Sequence, residues 1–222
     1  MEIGYIGGSS QNTSGGTMTR FGNGIEVYGA CDGFTIDNSY VYQCYDAGIT
    51  HQQQLGGGNS CIEQNVWFTN NVIDRCIYNI EYFMGIADTP NTTRLMKNIN
   101  YVGNLLSRSG YGWGYGPSRA ASIKGWDHHN NHAEGFLIKD NVFLLDRVNA
   151  VDIGFGNVAW MPKFEGNIYI QKLGNTLTKL GASGATQYMM DSTAERCLTE
   201  IIGEVNPKLY YVSADTVVEE IK

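Results

Sequence analysis

The stretches Ile36-Asp37-Asn38-Ser39-Tyr40-Val41, Phe68-Thr69-Asn70-Asn71-Val72-Ile73 and Tyr101-Val102-Gly103-Asn104-Leu105-Leu106 share one six-residue pattern. It returns at Ile138-Lys139-Asp140-Asn141-Val142-Phe143 and at Phe164-Glu165-Gly166-Asn167-Ile168-Tyr169. Each copy reads apolar, any, Asn/Asp/Gly, Asn/Ser, any, apolar. The starts lie 32, 33, 37 and 26 residues apart, and a period in that range marks a repeat architecture. The apolar positions alternate over short runs, the period of a strand rather than of a helix. Between them sit residues that tolerate left-handed backbone angles in a tight corner. Each copy therefore predicts strand, sharp corner, strand. The Asn side chains at one corner of successive passes are expected to stack as a ladder, broken at Ser39, where Asn38 is the alternative rung.

A second register runs through Gly24-Ile25-Glu26-Val27, Gly48-Ile49-Thr50-His51, Asn79-Ile80-Glu81-Tyr82, Ser122-Ile123-Lys124-Gly125 and Ala150-Val151-Asp152-Ile153. Two repeating strands per period suit a chain that wraps a flat core and rises about 4.8 Å per pass. Residues 20–175 on this pattern resemble the right-handed parallel β-helix of pectate lyases and many bacterial polysaccharide-active proteins. The fold expected is all-β, a right-handed parallel β-helix of about five coils over residues 1–190. Residues 191–222 are expected to close its C-terminal end. There Ser192-Thr193-Ala194-Glu195 is a capping box, residues 192–204 an amphipathic helix, and Leu209-Tyr210-Tyr211-Val212 a last strand. The Gly/Ser/Thr-rich residues 7–19, the excursion 51–65 and residues 86–97 read as loops.

Composition narrows the partners. The chain has 222 residues, 28 of them Gly and 4 Pro, which suits short strands joined by turns. A net charge of -7 without a basic cluster argues against nucleic acid, and no apolar run approaches the ~20 residues of a membrane span. No charged-then-apolar signal segment opens the sequence, and the resemblance implies an extracellular or periplasmic setting. No capping helix precedes Ile25, so the N-terminal end is expected to be covered by an upstream domain or another chain. Cys44 and Cys76 should stack on adjacent passes, as small buried thiols or as a disulfide; no cysteine pair has zinc-knuckle spacing.

The chemistry-bearing residues fall in three groups. On the outward side of the second register, Glu26, Thr50, Glu81, Lys124 and Asp152 should form one column. Alternate members lie about 9.6 Å apart, near the upper end of the carboxylate separation of inverting glycosidases. Lys124 would keep flanking carboxylates ionised or act as a base; the competing reading is a solvated charged face. Asp46 reaches the same groove or caps its turn, and His51 points inward as a core histidine or serves as acid/base. Tyr111, Trp113, Tyr115 and Trp126, spaced by glycines, either stack on sugar rings or pack down as a lid. Arg119 lies nearby, to bind a uronate carboxylate or the acidic surface. His128, His129 and His132 have metal-ligand spacing only if helical, so no metal and no cofactor is expected.

Two functions compete. One is a glycoside hydrolase on a polysaccharide, with Glu81 as acid and Asp152 or Glu26 as base, in a groove walled by Trp113 and Trp126. The calcium-binding aspartates and arginine that mark pectate lyases are not recognisable, which places hydrolysis before elimination. The other is a non-catalytic carbohydrate-binding, adhesin or spike module, since a solenoid is a long rigid surface.

Overall fold

A computed structural model describes residues 1–12, 18–52, 61–83, 94–114, 117–126, 133–154, 158–181 and 186–218. The chain is all-β and most of its strands run parallel, in three sheets. The first sheet holds Cys31–Asp37, Cys61–Thr69, Arg94–Val102, Ala133–Lys139 and Lys163–Glu165. The second holds Glu2–Ile6, Tyr40–Cys44, Val72–Asp74, Leu105–Ser107, Val142–Leu144, Ile168–Lys172 and Lys208–Val212. The third holds Ile25–Tyr28, Ala47–Gln52, Tyr78–Phe83, Ala121–Gly125, Asn149–Ile153 and Thr176–Leu180, closed by the antiparallel Thr186–Met189. From Cys31 to Leu180 the chain visits first, second and third sheet in turn, and each visit pairs one strand further along. That order is compatible with a parallel β-helix.

The six-residue pattern builds the corner between first and second sheets. Asn38, Asn70, Gly103, Asp140 and Gly166 all have left-handed backbone angles, φ from 48° to 68°. The residue after each turns inward. Asn71 Nδ2 donates to Asn104 Oδ1, Asn104 Nδ2 to Asn141 Oδ1 and Asn141 Nδ2 to Asn167 Oδ1, at 2.9–3.1 Å. The same amides donate to the backbone carbonyls of Ile36, Phe68 and Tyr101. Each Oδ1 also accepts a backbone N–H from the rung before, beginning with Ser39. Ser39 does break the ladder, because its hydroxyl turns to the Asp37 carbonyl. The other end is closed by a residue outside the pattern: Glu204 Oε1 accepts from Asn167 N and Nδ2, and Oε2 from the Tyr169 hydroxyl.

Two further corners repeat. Gly33, Asn65, Asn98 and Gly135 kink the first sheet with positive φ, and Asn98 donates to Asn65, which donates to Asp32. Gln43, near the end of Tyr40–Cys44, and Arg75, Arg108 and Leu145, just past the later strands of the second sheet, also have positive φ. Inside, Val41, Ile73, Leu106, Phe143 and Tyr169 stack from the second sheet, and Ile49, Ile80, Ile123 and Val151 from the third. Cys44 and Cys76 lie in the same core as contacting free thiols.

Several expected loops and one helix are different. Ser9–Asn12 and Met18–Phe21 pair as an antiparallel hairpin within the Gly/Ser/Thr-rich stretch. Strand Ala47–Gln52 includes His51, Cys61–Thr69 begins inside the supposed excursion, and Arg94–Val102 takes up the end of the loop at 86–97. Cross-strand pairing to the neighbouring pass overrides their polar composition. The C-terminal helix is shorter, Ala194–Arg196 continuing in a wider turn over Cys197–Ile201. Ser192 caps nothing: Asp191 Oδ1 accepts from the Thr193 N–H and hydroxyl instead.

Candidate functional site

The third sheet places the outward column in register. Glu26 pairs with Thr50, Thr50 with Glu81, Glu81 with Lys124, Lys124 with Asp152, and Asp152 with Lys179. A parallel ladder without shifts puts their side chains on one face because the inward neighbours, Ile49, Ile80, Ile123 and Val151, are locked in the core.

The column is not a solvated face. Thr50 is fully buried, Glu81 is 2% exposed, and Lys124 and Asp152 are each 8% exposed; Glu26 alone of the predicted five is exposed. Trp126, one residue past the strand Ala121–Gly125, lies against two members of the column. Its ring lies 4.8 Å from Lys124 Nζ, its Nε1 donates to Glu81 Oε1, and Tyr78 meets it edge-on at 6.0 Å. Gln52 Nε2 donates to both Thr50 Oγ1 and Glu81 Oε2, and Lys124 Nζ pairs with Asp152 Oδ2 at 3.0 Å. Burial pulls the Lys124 ammonium below the usual lysine range, against the opposing attraction of Asp152. Glu81 thus accepts an N–H at each carboxylate oxygen.

The other predicted residues scatter. His51 is completely buried on the inner side of the sheet, where Nδ1 contacts Glu63 Oε2 at 2.9 Å and Nε2 contacts the Tyr101 hydroxyl. The structure thus separates it from the column. Asp46 is buried at the turn before the Ala47–Gln52 strand, and its carbonyl accepts from Ile77 and Tyr78. Tyr111 is buried, with Arg147 and Lys172 at its ring. Trp113 Nε1 donates to the Gln43 carbonyl and its ring meets Tyr45 edge-on. This segment packs down across the corner after the second sheet. Gly112 and Gly114 allow it, since a Cβ there would stand 2.1 Å from the Arg75 carbonyl oxygen and 2.4 Å from that of Tyr45. Arg119 is exposed at the end of a short turn, Pro117–Arg119. Tyr115 and His128, His129 and His132 lie outside the described residues. Among the described residues no group of three His, Cys, Asp or Glu is placed to hold a metal ion.

Sequence reasoning missed Gln52, Tyr78 and Lys179. Gln52 was findable, because it lies two residues beyond Thr50 and so on the same face. Lys179 needed a sixth copy of the register at Leu177-Thr178-Lys179, whose inward Thr178 disguises it. No protein-family profile, no curated protein and no solved structure matches this chain.

Proposed function

We propose that this chain is a carbohydrate-active protein of the right-handed parallel β-helix type, with about five coils and the saccharide lying on the outer face of its third sheet. The observation that carries the reading is the half-buried Trp126 indole, fixed by Glu81 and Lys124 beside Asp152. An aromatic face bordered by charged hydrogen-bonding groups suits the apolar face and hydroxyl rim of a sugar ring. An extracellular or periplasmic setting belongs to the same proposal. So does an upstream domain or second chain at the rim where Glu2–Ile6, Ile25–Tyr28 and Cys31–Asp37 end their sheets.

Binding without cleavage is the reading the geometry supports best. Both Glu81 oxygens already accept N–H groups, from Trp126 and Gln52, and Asp152 Oδ2 is held by Lys124, an arrangement that supports a binding surface ahead of a free acid and base. Glycoside hydrolysis is the second reading, favoured by Glu81 and Asp152 standing two rungs apart on one face. A glycan panel with product analysis separates the two. Binding alone predicts retention without shortened products, and Trp126→Ala weakening retention by ~1–3 kcal/mol. Hydrolysis predicts shortened products that vanish in Glu81→Gln. Absence of retention and of products across the panel contradicts both.

A further inference from the structure

One outward column of the second sheet is apolar where a column of each of the other two is polar. In the first sheet one outward column reads Asp32, Gln64, Lys97, Glu134, as expected of a sheet with one solvated side. In the second sheet the register gives Glu2, Tyr40, Val72, Leu105, Val142, Ile168, Lys208. Five consecutive apolar residues stand outward between one acid and one base. All seven are partly or fully exposed, with Tyr40 38% and Val72 36% exposed. The inward column beside it, Val41, Ile73, Leu106, Phe143 and Tyr169, is fully buried, so the core already has its apolar side from these strands. A contiguous apolar strip on a soluble surface marks an interaction site.

We propose that this strip is an interface with a second copy of the chain. The column has the same apolar pattern in both directions and opposite charges at its ends: Leu105 stands at the centre, Val72 against Val142, Tyr40 against Ile168, Glu2 against Lys208. A two-fold axis lying in the face along the strand Leu105–Ser107 reverses the stack and keeps each column opposite itself. Leu105 then meets Leu105 of the second copy, Val72 meets its Val142, and Glu2 at each end meets its Lys208. The interface is isologous and closed. The other face-to-face arrangement, with the axis along the stack, sets Glu2 on Glu2 and Lys208 on Lys208 and is disfavoured by like charge. The end charges thus select one register for the apolar column.

Sedimentation velocity of the full chain over on the order of a hundredfold range of concentration tests this. The wild type is expected to pass from monomer to dimer, and Leu105→Glu, which sets two carboxylates face to face on the axis, to stay monomeric and to unfold at the temperature the wild type shows at its lowest concentration, where it too is monomeric. Glu2→Lys and Lys208→Glu should each weaken the dimer, and the two together should restore it, because the exchanged charges again meet opposites. The restoration is the specific signature, and it survives even if Leu105→Glu fails to fold. A wild type that is monomeric throughout overturns the proposal. So does a dimer indifferent to Leu105→Glu, or one that the double exchange weakens as much as the single ones. A monomer retained on a glycan column through Leu105 would assign the face to saccharide instead and equally overturn it.

Discussion

Asn104 donates through Nδ2 to Phe68 and Asn141 and accepts through Oδ1 from the backbone and side chain of Asn71. No aliphatic residue satisfies those groups, and a buried polar group left without a partner costs about 1–3 kcal/mol. Asn104→Ala, which strands the Asn71 N–H and the Phe68 carbonyl together, should lower unfolding free energy by about 2–4 kcal/mol in denaturant titration. A loss below about 0.5 kcal/mol, the scale of an ordinary surface change, would show the ladder to be ornamental. The other corner hides a titrating group. Burial raises the Asp146 carboxyl to about 7, against hydrogen bonds from Ser122, Ser109 and Gln171 that favour its charge. Its folded value lies above the unfolded one of about 4, so its contribution is fully present below pH ~4 and lost as pH rises through ~7. Stability measured across that window should fall with pH in the wild type, and Asp146→Asn should flatten the slope. The asparagine ladder was legible because one residue type recurs at one place in each copy. Glu204 and Asp146 were not, since each reaches its column from outside the repeating pattern.

At the scale of the element, three left-handed corners per pass decide where the chain turns. Only the one between first and second sheets was read, although Gly33, Asn65, Asn98 and Gly135 carry the same signal of Asn and Gly, which adopt those angles cheaply. Gln43, Arg75, Arg108 and Leu145 turn the same way after the second sheet with side chains that give no such signal. The glycine-spaced aromatics show a similar limit. Alternating glycines mark either a loose exposed loop or one pressed against backbone, and the choice rests on a neighbouring pass that composition does not reveal. Here Gly112 lies against Arg75 and Gln43. Gly112→Ala should lift the segment, break the Trp113–Gln43 hydrogen bond and raise quenching of Trp113 by acrylamide. Unchanged quenching would mean the segment is not seated there. The supposed loops at 61–65 and 94–97 were misread for the same physical reason: their polar residues pair with a neighbouring pass.

Over the whole molecule, the spacing of the second register was enough to place Glu81, Lys124 and Asp152 on one face of one sheet. What it could not give was their burial, because Trp126, which lies against Glu81 and Lys124, stands outside the strand pattern. That covering turns a row of charges into a paired, half-dry surface with one aromatic lid, and the proposed sugar site depends on that lid. The chain has four tryptophans, so fluorotryptophan labelling gives four fluorine resonances, each assignable by a Trp→Phe change. Titration of the labelled protein with the glycans it retains locates the contact directly. The account predicts that the Trp126 resonance shifts with saturation while that of Trp113, tied to Gln43, stays in place. A retained glycan that moves Trp113 and leaves Trp126 unmoved would contradict it.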